Sequence, residues 1–379
     1  MKKLIVLLTI FIGFGVLGLG LGSAQEVEFQ TGFHTDWWTS PNGEVGQQIY
    51  FPLVSGVRYQ DFGFKVVAGG AYSHFSPSGS SSSSLGAMLD TKLNFSYELA
   101  RNWPVDILLA LDLNLPTGTT NLSQREMRLI MDPDLISVTT FGEGFNVNPS
   151  VIFSRQWGDQ WVTGVGFGYN FRGEYDYSNQ VQSYSPGDMF SIVPEVRYYF
   201  ADQWMSRLFG NFTTYGKAKA NDADFSQQGD FFLIGAGMTH TRKDWAAGLN
   251  LYGIMRSKDK LYIQGTDLRF PSAYSFSQGD EIVADLSFSY FLDDKTTLKT
   301  LARYLWMAGN DELATSPLYW GERQYFSLSF GVARKLTSHL EAEMGVKGLT
   351  MHDQPNWNHF GHDQSFFGMA GQVMITGVF

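Results

Sequence analysis

The sequence predicts an all-β fold: a transmembrane antiparallel β-barrel of 16 strands with short periplasmic turns and long extracellular loops. Three observations predict it. Segments of about ten residues alternate apolar and polar side chains. The connections between them alternate between short and long. Aromatic residues make up 16% of the chain, while charged residues make up only 17%. A strand of roughly 9–11 residues with one apolar face is what crosses a bilayer at a tilt, and a period of two is the mark of a half-buried strand.

The elements follow in order. Lys2 and Lys3, the apolar run 4–21 and Gly22-Ser23-Ala24 form the basic, apolar and small-residue regions of a secretory signal. Cleavage after Ala24 is expected to leave residues 25–379 as one barrel domain. In 85–99 the odd positions Leu85, Ala87, Leu89, Leu93, Phe95, Tyr97 and Leu99 read as a lipid-facing set, with Asp90, Lys92, Asn94, Ser96 and Glu98 between them. The stretch 105–115 repeats this, with Ile107, Leu109, Leu111, Leu113 and Leu115 set against Asp106, Asp112 and Asn114. Similar segments are read at 26–37, 47–58, 63–74, 145–157, 160–172, 189–200, 203–215, 230–241, 244–256, 281–291, 296–307, 323–334, 339–351 and 365–379. Seven short connections interleave with eight long ones, which puts both chain ends on the short-turn, periplasmic side. Three short turns are followed by Trp161, Trp204 and Trp245, one per hairpin, and Arg101-Asn102-Trp103 echoes them. That spacing sets indole rings at one membrane boundary. The segment through Phe367, Met369, Val373 and Ile375 to Phe379 resembles the C-terminal strand signal of bacterial outer-membrane proteins, which implies the barrel-assembly machinery as a partner.

Charge and composition exclude several classes. Without Lys2 and Lys3, 25 basic side chains face 37 acidic ones, a net charge of −12. No basic surplus is available for a nucleic-acid partner. With Cys absent there is no disulfide and no thiolate metal site. No nucleophile elbow and no phosphate-binding loop is present, so the chain is not read as an enzyme, and no cofactor is expected. His352, His359 and His362 stand near Asp353 and Asp363, residue types that bind metals, but their spacing matches no standard site and a polar loop is expected.

The polar faces predict a wet lumen carrying both signs of charge. Arg172, Arg197, Arg207 and Arg303 facing Asp106, Asp112 and Glu126 are the candidates for a transverse field across it. Loop 116–144, here loop 3, is the longest connection. Within it Ser123-Gln124-Arg125-Glu126 is a capping box that predicts a short helix ended before Pro133. The loop either folds inward as a constriction or caps the rim. Gly164, Gly166 and Gly168 share one strand face, which offers either a smooth wall for an inward loop or a site of curvature.

One resemblance is carried by two short motifs. Leu113-Asn114-Leu115-Pro116-Thr117-Gly118 closes one strand, and Phe141-Gly142-Glu143-Gly144-Phe145-Asn146-Val147-Asn148-Pro149 opens the next. Across about residues 105–200 this resembles the outer-membrane family associated with meta-pathway degradation of phenols. The resemblance implies a channel for small solutes, aromatic or hydrophobic compounds among them. The expected function is passive diffusion of small solutes through the bacterial outer membrane, with outer-membrane lipid and the solute as partners and a homo-oligomer left open. The alternative is a closed structural barrel that sleeves an export or other envelope partner.

Overall fold

The computed structural model describes residues 25–99, 103–262, 273–276, 279–313, 316, 319–355 and 362–379. The predicted signal, residues 1–24, lies outside them, as do Arg101, Asn102 and His359.

Sixteen strands run in chain order: β1 (Gln25–Thr39), β2 (Val45–Tyr59), β3 (Phe62–Ser76), β4 (Ser83–Met88, continued as Thr91–Glu98), β5 (Asp106–Leu115), β6 (Asn146–Trp157), β7 (Trp161–Arg172), β8 (Met189–Ala201), β9 (Trp204–Tyr215), β10 (Phe231–Thr241), β11 (Trp245–Arg256), β12 (Glu281–Phe291), β13 (Thr296–Met307), β14 (Arg323–Lys335), β15 (Leu340–Asp353) and β16 (Gln364–Val378). Each is antiparallel to its neighbours in sequence. The last returns to the first in a register running from Glu28↔Val378 to Thr39↔Phe367. The sheet therefore closes, and no strand is left with an unpaired edge. Apart from one 3-10 turn, Glu126–Leu129, no helix occurs among the described residues. The 15-residue strands β1, β2, β3 and β16 exceed the ~10 residues that cross a bilayer, so the wall there is taller than the hydrocarbon layer.

Alternation sorts the two faces. Phe51, Ile234, Leu286, Phe330, Val346 and Met369 stand exposed on the outer surface, while charged partners such as Asp285 and Arg303 meet on the inner one. At the short-turn end the outer rings link up across strands. Trp161 stacks on Tyr198 at 4.3 Å, Trp204 lies 4.1 Å from His240, and His240 lies 4.9 Å from Trp245. The tryptophans that follow the polar turns thus form a ring chain around one rim, where amphipathic rings are favoured.

One stretch departs from the alternation read in the sequence. Within β4, Met88 pairs with Gly70 but Lys92 pairs with Val67, so three residues of one strand oppose two of the other. This bulge at Leu89-Asp90 reverses which parity faces the lumen. Leu93, Phe95 and Tyr97 point outward as expected. Leu85, Ala87 and Leu89 point inward, where they pack against loop 3. The unbroken alternation through 85–99 hides the bulge because a hydrophobic plug inside the lumen selects the same residue types as lipid does outside.

At the long-loop end, Tyr184–Ser185, Lys217–Ala220, Ala223–Gln227, Asp259–Tyr262 and Ala273–Phe276 form a separate five-stranded sheet. Three different connections contribute to it. An isolated bridge between Leu122 and Ser178 ties loop 3 to the first of them.

Candidate functional site

Loop 3 folds into the barrel. Its start and end are gripped by one carboxylate, Asp90, which the bulge in β4 places against both. Asp90 accepts from the backbone N–H groups of Gly118 and Glu143 at 2.7 Å each, and from the Asn114 amide at 2.7 Å. Thr117 Oγ accepts from the Thr91 N–H at 2.8 Å. Gly118 is required here: a Cβ would stand 2.2 Å from the Phe141 carbonyl oxygen and 2.6 Å from Asp90 Oδ1. The Pro-Thr-Gly and Gly-x-Gly motifs are thus the two feet of one loop, brought together by backbone and carboxylate.

From these feet the loop crosses to the far wall. Leu122, Leu129, Val138 and Phe141 bury against Ala71 and Ala87 on β3 and β4. Met131, Leu135 and Ile136 bury against Trp38, Val283, Leu305, Tyr325, Leu349, Met351 and Phe366, which project from β1 and β12–β16. At about 1.5–3 kcal/mol for each fully buried large apolar side chain, these contacts hold the loop as a packed element. Polar anchors fix its position. Gln48 donates to the Val138 carbonyl at 2.8 Å and accepts from the Val138 N–H at 2.7 Å. Asp36 accepts from the Ser137 N–H at 2.9 Å.

The strongest anchor is Arg323 at the loop end of β14. It is 8% exposed and binds three carboxylates. Asp353 on β15 takes a two-pronged contact at 2.7 and 2.8 Å, while loop residues Asp132 and Asp134 accept at 2.7 and 2.9 Å. Burial, and then the neighbouring charge of Asp132, push the Asp134 carboxyl above the usual aspartate value, against the pull of Arg323. The capping box forms as expected: Ser123 N–H donates to Glu126 at 2.8 Å, and Glu126 N–H donates to Ser123 at 3.4 Å. It starts a short helix, as expected, which is the single 3-10 turn Glu126–Leu129. Hydrogen bonding of the Glu126 carboxylate by Ser123, its side chain first and its backbone N–H second, holds it below the usual carboxylate value.

The two apolar clusters leave the inner faces of β6–β10 uncovered. The glycine face at Gly164, Gly166 and Gly168 belongs to this uncovered wall: the atoms nearest a Cβ there come only from β6 and β8. It is not a docking surface for loop 3. The candidate charges are spread along the strands rather than gathered in one ring. Asp106 and the cross-strand pair Arg197↔Arg207 sit toward the short-turn end, Asp112 and Arg303 lie further up, and Arg172 ends its strand at the loop end. Arg303 is paired with Asp285 at 2.7 and 2.9 Å, and Arg197 is paired with Glu195. Arg207 instead reaches the neutral Asn250 amide at 3.0 Å, and Asp112 accepts from Asn94 at 2.6 Å. Among the described residues the candidate metal ligands His352 and Asp353 have other partners. His352 bonds Ser365 at 3.1 Å, whereas Asp353 is committed to Arg323. Among the described residues no group of His, Cys, Asp and Glu is arranged to hold a metal ion.

Sequence reading missed the anchors Arg323, Asp36 and Gln48. Each looks like an ordinary inward polar residue of its strand until the loop is seated on it. At the mouth, Tyr175, Tyr177, Tyr184 and Phe225 form a ring cluster with centroid separations of 5.7–6.3 Å. Burial pushes all three phenols upward.

No protein-family model matches the sequence, and no curated protein sequence matches it. Solved structures of like extent include an anion-selective porin from Comamonas acidovorans, 12% identical over 94% of this chain and 100% of that one, with a TM-score of 0.44. Pseudomonas aeruginosa OpdQ is 13% identical over 94% and 100%, with a TM-score of 0.45. P. aeruginosa OccK5 (OpdH) is 12% identical over 94% and 98%, with a TM-score of 0.44. The placement in a membrane stands on the barrel itself. A closed antiparallel wall that satisfies its own backbone, turns large apolar residues outward and ends in an aromatic rim is an outer-membrane barrel.

Proposed function

We propose that this barrel is a passive diffusion channel for small solutes, narrowed by loop 3, with its short turns in the periplasm. The observation that carries the reading is the seating of loop 3 inside the lumen against β1–β4 and β12–β16. The loop covers one part of the wall and leaves the part bearing Arg172, Arg197 and Arg207 as the path. Passage is driven by the solute's gradient alone. Polar wall groups replace part of the solute's hydration, and the gap beside the loop sets the size limit. Aromatic compounds fall within the class passed, since the ring cluster of Tyr175, Tyr177, Tyr184 and Phe225 stands among the loops at the entrance. The C-terminal strand, whose Phe379 exchanges both backbone hydrogen bonds with Val27 at 3.0 Å, is the segment offered to the barrel-assembly machinery.

Single-channel recording of the refolded protein in planar bilayers tests the reading, with a variant lacking residues 119–140 alongside. Stable steps in the intact protein, and steps at least twofold larger in the variant, are expected. Silence in both proteins would leave the closed structural barrel as the better account.

A further inference from the structure

The uncovered wall carries aliphatic side chains where a wet lumen calls for polar ones. Ile152 on β6 and Val193 on β8 are 40% and 47% exposed on the inner face. The register sets both level with Gly166 on β7, and Leu108 on β5 extends the row beyond Ile152. Because Gly166 has no side chain, the row has a gap there. A Cβ at Gly166 would meet Ile152 Cγ1 at 3.5 Å and Val193 Cβ at 4.0 Å, ordinary van der Waals contact on both sides. The gap is therefore a slot one carbon atom thick with aliphatic walls. It continues over Gly168, two residues or about 7 Å up the strand. There a Cβ would meet Ser191 Oγ at 3.3 Å, Asn148 Oδ1 at 3.5 Å and Ser150 Cβ at 3.7 Å, so the walls turn polar.

We propose that this slot is a binding subsite for a planar, uncharged aromatic ring bearing a hydroxyl group. The ring stands edge-on over Gly166 between Ile152 and Val193, with its hydroxyl toward Ser150 and Ser191. Thickness selects planarity, because an aromatic ring is one atom thick and a puckered ring is not. The walls select against charge. Among the described residues no charged side chain lines the slot between Gly166 and Gly168, and a charge leaving water for aliphatic walls needs a partner there. Glu195, level with Gly164 below the slot, is committed to Arg197. The two serines select the substituent, since a hydroxyl both donates and accepts. The inference deepens the channel reading and rests on it for the ring's route, though not for its binding.

The test separates binding from conduction. Resorcinol is titrated against the folded barrel in detergent by isothermal calorimetry, and against single-channel current in bilayers. Its saturated analogue cyclohexanediol is the puckered control, and benzoate the charged one. Saturable binding of resorcinol in the millimolar range is expected, with neither control binding. Gly166→Ala fills the slot with one carbon at unstrained distances and should weaken binding at least tenfold, while retaining the heat-modifiable gel shift of a folded barrel. Val193→Ser, which keeps the slot open and turns one wall polar, should weaken it as well. Gly164→Ala adds a carbon one row lower, 3.7 Å from its nearest neighbour, and should leave binding unchanged. Equal binding of resorcinol and cyclohexanediol would overturn the proposal, as would binding indifferent to Gly166→Ala. Equal losses from Gly164→Ala and Gly166→Ala would also overturn it, since the glycines would then serve the curvature of the wall. Resorcinol binding without current steps would sink the channel reading and leave the slot standing; steps without Gly166-dependent binding would do the reverse.

Discussion

Arg323 shows how much one side chain can decide in a wet barrel. A guanidinium fork reaches Asp132, Asp134 and Asp353 together and so fastens the loop to the wall at the end farthest from its feet. Removing the arginine strands three carboxylates around a buried position. Breaking a buried charge pair from one side costs about 3–5 kcal/mol, and here the cost falls on loop docking, because the strand pairing of β14 is untouched. Arg323→Met should therefore leave the barrel folded, make loop 3 sensitive to added protease, and enlarge the single-channel steps toward those of the loop deletion. A protected loop in that variant would show that the apolar seats alone suffice.

At the scale of the element, loop 3 has a pH dependence whose sign runs against the usual expectation for carboxylates. Asp134, facing Asp132, Arg323 and Glu281, has its carboxyl raised in the docked loop by burial first and by Asp132 second. A carboxyl with a raised folded value holds a proton that the released loop gives up. Its contribution to docking is therefore complete below the ordinary aspartate range and is lost as pH climbs through the raised value. Mild acid should tighten the loop and reduce conductance, and Asp134→Asn should remove that part of the response. Conductance rising with acid in the native chain would contradict this. Much of the element was legible beforehand: its bounds, its capping box and the two motifs at its feet are local patterns. Its seat was not, since Gln48 and Asp36 lie 90 and 101 positions from the loop residues they bind.

For the whole molecule, the strand count and closure were readable because a bilayer imposes a minimum length and the same period on every strand. The pairing of lumen charges was not. Opposite charges on neighbouring strands meet only when the register is known, as Asp285↔Arg303 does. That pairing now ranks the four arginines. Arg303 and Arg197 carry carboxylate partners and contribute little net field, whereas Arg207 contacts a neutral amide. Arg172→Gln with Arg207→Gln is expected to shift the reversal potential in a salt gradient toward cation preference, by clearly more than Arg197→Gln with Arg303→Gln. Equal shifts from the two pairs would mean that the ion pairs do not screen the path.

The bulge in β4 gives that strand two reading frames. Everything on its short-turn side is spelled for lipid outside and water inside, and everything on its loop side is spelled for a plug inside. The shift between them is a single residue. Losing Leu89 would join the frames and turn Leu85 and Ala87 out to the membrane, stripping the loop of that seat. A length change that a surface loop would absorb unnoticed would here exchange the two sides of a wall.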